Sequence, residues 1–153
     1  FDGSSEIMSI TSITLSGEYT IVTWFQNPFT SDTCNTLTRG AINDHQVIID
    51  CGGTLLGTFD NAVGTGFRSS GFNTNTLTVG WHHLVAIGTG SSTSFYIDGT
   101  SRGSSPFKSS AQISYIGNYQ GGAQQFGKID EVMIFNKALT PEQVKAIYEM
   151  NLN

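Results

Sequence analysis

The sequence predicts an all-β sandwich or barrel that ends in one short helix. Three observations carry that reading. Short runs with period-two alternation recur between explicit turn signals along most of the chain. Gly is frequent at 18 residues, and charged residues make up 12%, about half the usual quarter. The last segment then changes period and carries a helix-start signal.

The alternating runs are YTIVTWFQ (19–26), NTLTRG (35–40), QVIIDC (46–51), LLGTF (55–59), HHLVAIG (82–88), TSFYID (93–98), QISYIG (112–117) and KIDEVMIF (128–135). The turns are GTGSST (88–93), DGTSRG (98–103) and NYQGG (118–122). Asp98-Gly99 suits a tight hairpin because both residues tolerate positive φ. Near the end, Thr140 caps a helix, Pro141 takes its first position and Gln143 completes a T-x-x-Q capping box. Leu139 and Val144 are placed to form a hydrophobic staple. Val144, Ile147 and Tyr148 share one helical face and are read as packing on the sandwich.

Parity along 19–26 puts Tyr19, Ile21 and Phe25 on one face and Val22, Trp24 and Gln26 on the other. If the first face is the core, Trp24 lines the outer sheet surface or lies beneath a loop. Trp81 follows Gly80 at a strand start, and both tryptophans are read as packing or loop-anchoring residues. Cys34 and Cys51 can be placed by arithmetic. A hairpin turn centred between Ile42 and Asn43 pairs residues whose numbers sum to 85, which sets the two cysteines opposite each other at disulfide distance. Two free buried thiols are the alternative.

Composition excludes several classes of function. A length of 153 residues suits one domain with a single core, spanning 1–153. The hydrophobic share of 38%, with 11% aromatic, argues against disorder. The net charge is -5 and no Lys/Arg cluster exists, so neither nucleic acid nor an anionic membrane surface is expected as a partner. No apolar run approaches the roughly 20 residues of a membrane span, so no insertion is expected. The chain opens at Phe1 without a Met or signal peptide and is read as excised from a larger protein. His45, His82 and His83 do not make a metal set, because adjacent strand residues point apart.

The stretches GWHHLVAIGTGSSTSFYIDGTSRG (80–103) and YIGNYQGGAQQFGKIDEVMIFNKALTPEQVKAIY (115–148) resemble the laminin G-like jelly rolls of the concanavalin A-like superfamily. The landmarks are WHHLV, FYIDG, IGN, F-x-G-x-I-D-E-V and N-x-A-L-T-x-E-Q. The opening FDGSS and YTIVTWF fit the same family, and pentraxins share a more distant form of the ending. The resemblance implies a two-sheet antiparallel jelly-roll sandwich with one C-terminal helix. Such a fold hosts lectins, adhesion modules and glycosidases, so function has to come from a site.

Asp130 and Glu131 are neighbours on a strand and should point to opposite faces, so they should not act on one substrate. Glycosidases of the superfamily carry an E-x-D-x-x-E strand that is missing here, and the domain is expected not to be an enzyme. The resemblance offers Asp130 as a calcium ligand, with Asp2 as its partner across the first and last strands. The alternative is that Asp130 accepts backbone N–H bonds at a strand junction.

By comparison with pentraxins, the hairpin tip Asn43-Asp44 and the loop of Asn118, Tyr119 and Gln120 are candidate ligand contacts. That loop holds no carboxylate, so a neutral sugar stacked on Tyr119 suits it better than a double calcium site. A plain solvated loop is the other reading. Arg68, in the polar run 60–76, is a further ligand candidate, with an exposed edge hairpin as its alternative.

The function these readings imply is a secreted, non-catalytic recognition module in a larger extracellular protein. Its partner is a glycan or glycosylated surface, with calcium as the implied ion. The alternatives are a protein-adhesion or structural module, and more remotely an enzyme fragment.

Overall fold

A computed structural model describes residues 6–15, 17–29, 34–40, 44–52, 54–61, 64–118 and 124–150. Among them, the strands are β1 (Met8–Ile13), β2 (Tyr19–Asn27), β3 (Asn35–Arg39), β4 (His45–Ile49), β5 (Leu55–Asp60), β6 (Gly66–Asn73), β7 (Gly80–Thr89), β8 (Ser92–Ile97), β9 (Thr100–Ser105), β10 (Ile113–Ile116) and β11 (Ile129–Phe135). Helix α1 (Pro141–Met150) follows them. One sheet has six strands in the order β1-β10-β3-β4-β5-β6, and the other has five in the order β11-β2-β7-β8-β9. Every ladder is antiparallel. This is the jelly-roll sandwich that the resemblance implied.

The core lies between the sheets. Tyr19, Ile21 and Phe25 of β2 pack there with Leu37, Val47 and Ile49 from the facing sheet. A second apolar cluster lies on the outer face of the five-stranded sheet, where Val22, Val85 and Ile87 meet Leu139 and Val144. Strand β2 is therefore covered on both faces, and even its Thr20 and Thr23 are buried. Gly88 stands opposite Tyr19, and a Cβ there would collide with the buried phenol ring.

Strands β1 and β9 were not legible as strands, and β6 only through the edge-hairpin alternative for 60–76. All three lie at sheet edges, and β9 (TSRGSS) contains no apolar side chain. An edge strand is specified by backbone bonds to one neighbour, so its side chains need show little hydrophobic pattern. The run 60–76 is thus in part edge strand β6 rather than a free loop, and Arg68 pairs with Thr58 of β5.

Asp98 and Gly99 form the two-residue turn between β8 and β9, with φ of 52° and 71°. Both values are positive, as the hairpin reading required.

The β3–β4 hairpin departs by one residue from the arithmetic above. Its open end pairs Asn35 with Ile49 and Thr36 with Ile48, a sum of 84, and register shifts interrupt the ladder beyond Thr36. Cys34 and Cys51 lie just outside this ladder and are joined by a disulfide. The bond therefore clamps the hairpin mouth rather than forming a rung of it.

Helix α1 forms as its residues dictate. Gln143 N–H donates to Thr140 Oγ1 at 3.3 Å, and Thr140 N–H donates to Gln143 Oε1 at 3.0 Å, so both halves of the capping box are made. Val144 is fully buried beside Leu139, whereas Ile147 and Tyr148 are half-buried. Ile147→Ala is accordingly expected to cost about 2 kcal/mol, the low end for an aliphatic truncation. Urea denaturation would measure it, and an unchanged midpoint would show that the helix does not depend on this contact.

Candidate functional site

The outer face of the five-stranded sheet carries a cleft beside α1. Asp130 of β11 pairs with Trp24 of β2, and Trp24 pairs with His83 of β7. Cross-strand partners project to the same face, so one row runs across three strands. Trp81 lies two residues from His83, opposite Gln26. Trp24, Trp81, Asp130 and Glu131 line a cleft of ≈ 290 Å³.

Glu131 contradicts the alternation argument. The register shifts between Asp130 and Met133, and Glu131 takes a φ of 50°. This β-bulge inserts an extra residue and brings both carboxylates to one cleft. Its trace in the sequence is the inward series Ile129, Val132, Ile134, which steps by three and then by two. The unbroken apolar run Val132–Phe135 hides that change of phase.

The bulge is held by short bonds. Asp130 Oδ1 accepts the Glu131 N–H at 2.8 Å, and the Thr23 hydroxyl donates to the Asp130 carbonyl at 2.9 Å. Asp130 thus plays the bland role of backbone acceptor and also faces the cleft.

The two tryptophans differ. Trp24 packs against His83 at 5.2 Å and Tyr148 at 6.0 Å between ring centroids. It anchors the helix as well as lining the cleft. Trp81 is 47% exposed and is not a packing residue. His83 is fully buried, and neither ring nitrogen has a hydrogen-bond partner among the described residues. Burial holds its pKa below the usual histidine value, and the nearby Asp98 charge only partly opposes this. His82 is tied to its surroundings by Asp98 Oδ2 at 2.7 Å and the Thr78 carbonyl at 2.9 Å.

Of the other candidates, Asp2, Asn43, Tyr119 and Gln120 lie outside the described residues. Asp44 and Asn118 are buried and hydrogen-bonded within the fold. Asp44 Oδ1 accepts the Asn61 N–H at 2.9 Å, and its Oδ2 accepts from Ser109 Oγ at 3.1 Å. Asn118 Oδ1 accepts the Gln124 N–H at 2.8 Å, while its Nδ2 donates to the Glu6 carbonyl at 3.2 Å. Asn61 and Gln124, the residues they hold, line a second pocket of ≈ 260 Å³ with Cys34, His45, Ile48, Cys51 and Phe59. Asp44 and Asn118 therefore support that pocket from behind.

Arg68 lines neither of these two cavities. Its strand is separated from β10, which leads into Asn118, by three strands, about 19 Å at the usual spacing.

Calcium does not fit the described donors as they stand. No group of three or more His, Cys, Asp or Glu among the described residues is placed to hold a metal. Asp130 and Glu131 offer two carboxylates, whereas calcium takes six to eight oxygens.

Two antiparallel sheets packed face to face, with a C-terminal helix covering one of them, define a jelly-roll domain class. A laminin G model, described as the concanavalin A-like lectin/glucanases superfamily, matches residues 2–145, and the chain belongs to that family. No curated protein matches the sequence.

Among solved structures, a heptameric SAP-like pentraxin from Limulus polyphemus is similar at 17% identity and TM-score 0.66, covering 93% of this chain and 74% of the pentraxin. A candidate carbohydrate binding protein from Bacteroides ovatus is similar at 18% identity and TM-score 0.65, covering 91% of this chain and 42% of that one. The receptor binding domain of botulinum neurotoxin C/D mosaic serotype is similar at 15% identity and TM-score 0.64, covering 92% and 38% respectively. This chain thus spans less than half of the latter two. At these identities the likeness is one of fold.

Proposed function

We propose that this domain is a non-catalytic extracellular recognition module that binds carbohydrate through the cleft of Trp24, Trp81, Asp130 and Glu131. The observation that carries this reading is Trp81, an indole 47% exposed and lining a cleft beside two carboxylates. A sugar offers an apolar C–H face to the indole and hydroxyl donors to the carboxylates. The similarity to a candidate carbohydrate binding protein and to a toxin's receptor binding domain supports the same reading. The disulfide suits an oxidising, extracellular setting. Non-catalysis is supported by exposure. A glycosidase acid works from a water-poor pocket, and both Asp130 and Glu131 are exposed.

The pocket beside the disulfide supplies a second location for the same function. Phe59 offers a ring there, and Gln124 an amide whose Nε2 has no partner among the described residues. Arg68 stands apart from this pocket.

A glycan array probed with wild type, Trp81→Ala and Phe59→Ala tests the proposal. Trp81→Ala is expected to weaken binding about 30-fold, as for a buried aromatic anchor. Its stability should stay within about 0.5 kcal/mol of wild type, because Trp81 is no part of the core. Loss through Phe59→Ala alone moves the site to the second pocket. A wild type that binds no glycan favours the protein-adhesion alternative. Repeating the array with a chelator, and melting wild type and Asp130→Asn with calcium, tests the implied ion. The same preparations should release no reducing sugar from common β-glucans.

A further inference from the structure

We propose that the pocket beside the disulfide binds the acetamido group of an N-acetylated sugar. This rests on the carbohydrate reading above and names the group recognised at its second location.

His45 and Ile48 of β4 and Phe59 of β5 place the pocket on the six-stranded sheet, whereas Trp24 and Trp81 line a cleft on the other. At ≈ 260 Å³ the pocket falls below the roughly 300–1,000 Å³ of sites that enclose a drug-sized molecule. It suits one sugar residue or its substituent.

A short hydrogen-bond chain sets the polar groups of the wall. The Thr36 hydroxyl donates to Gln124 Oε1 at 2.9 Å. It has one proton to give, so towards His45 Nδ1, also at 2.9 Å, it accepts. Nδ1 is therefore the protonated ring nitrogen, and Nε2 carries the lone pair. Burial and the Arg39 charge keep the ring neutral at pH 7.

Two atoms are left for a ligand. His45 is 3% exposed and lines the pocket, and its Nε2 has no hydrogen-bond partner among the described residues. Gln124 Nε2 has none there either. The pocket thus offers one acceptor and one donor. Turning the Gln124 amide over reverses the chain and swaps the two roles, but still leaves one of each.

The rest of the wall is largely apolar. The Phe59 ring lies 5.5 Å from the His45 ring, and Ile48 and the Cys34–Cys51 bond adjoin them. Among the described residues no charged side chain lines the pocket.

An acetamido group joins an N–H donor, a C=O acceptor and a methyl group in one planar unit. Its N–H suits His45 Nε2, its C=O suits the Gln124 amide, and its methyl suits Phe59 and Ile48. A hydroxyl can bond in the same place but leaves the apolar wall uncovered. An ammonium group has no acceptor for Gln124, and it brings a charge to a wall without a counter-charge. One buried methyl group contributes about fourfold in affinity and one added hydrogen bond about fivefold. With both only partly realised, the expected preference over the hydroxyl is about tenfold.

The test is calorimetric titration with four probes: the tetramer of N-acetylglucosamine, the tetramer of glucosamine, cellotetraose and a tetrapeptide carrying acetyl-lysine. The N-acetylglucosamine tetramer is expected to bind about tenfold more tightly than cellotetraose, and the glucosamine tetramer more weakly than either.

The decisive readout is the ratio of N-acetylglucosamine to cellotetraose affinities in three variants. Gln124→Glu keeps an oxygen for the Thr36 hydroxyl and replaces the donor by an acceptor. Phe59→Ala removes the wall that meets the methyl group. The ratio should fall towards one in both and stay unchanged in Trp81→Ala, with melting curves checking each fold. Equal affinities for the two tetramers in wild type overturn this inference and leave the carbohydrate reading standing. So does a ratio that survives both pocket variants, or one lost through Trp81→Ala alone. Acetyl-lysine bound as tightly as the sugar overturns it too, by showing that the group is read without a sugar. Binding of no tetramer overturns it as well, and the glycan array then decides the carbohydrate reading separately.

Discussion

Lowering the pH from 7 to 5 is expected to destabilise this domain by about 2 kcal/mol through His45 alone. His45 is 3% exposed, and its pKa is lowered from 6.5 to about 3, first by burial and then by the Arg39 charge. Its Nδ1 lies 2.9 Å from the Thr36 hydroxyl, so the neutral ring is accommodated while an added charge has no anion to meet in that bond.

The sign follows from which state takes the proton. Between pH 6.5 and 3 the unfolded chain binds a proton at this position and the folded chain does not. Stability is therefore fully present above 6.5 and declines as the pH falls towards 3. Each unit costs about 1.4 kcal/mol at most. His83, lowered by burial, acts in the same direction.

Carboxylates also titrate in acid, so the measurement is a difference. Urea unfolding at pH 7 and pH 5 should show a smaller pH effect in His45→Gln than in wild type. Equal pH effects in the two proteins would show that His45 is not the source.

Removing the disulfide is expected to cost about 3 kcal/mol in the chain-entropy model. Cys34 and Cys51 are separated by 17 positions, and their bond clamps the mouth of the β3–β4 hairpin. Without it the unfolded chain regains the freedom of that loop, while the ladder from Asn35 to Ile49 loses its clamp. Two cysteines buried without a bond would behave as small apolar side chains and be nearly indifferent to reductant. The measurement is the urea midpoint of wild type with and without reductant, beside Cys34→Ala/Cys51→Ala. Reductant should lower the wild-type midpoint and leave the double variant unchanged. An oxidised and a reduced wild type of equal stability would sink the claim.

The sequence by itself determined what is local or periodic. Tyr19–Asn27 and Gly80–Thr89 announce strands because β-branched and aromatic residues recur in them between turn signals. The T-P-E-Q start of α1 and the Asp98-Gly99 turn are readable because each is fixed by a few adjacent residues with their own backbone preferences. The pairing of Cys34 with Cys51 followed from a hairpin count that was one residue out in register yet within reach of the bond.

Only the tertiary structure decided the rest. Strands β1, β6 and β9 exist because a neighbour offers backbone partners, and no side chain needs to advertise that. Asp44 and Asn118 look like ligand groups in a polar stretch, but the chain folds their acceptors onto Asn61 and Gln124. The cleft depends on a single bulge. Strand parity puts Asp130 and Glu131 on opposite faces, and one inserted residue opposite β2 brings them together. Such a slip is set by packing Ile129, Val132 and Ile134 against the facing sheet at once, a constraint among residues distant in the chain that no local propensity records.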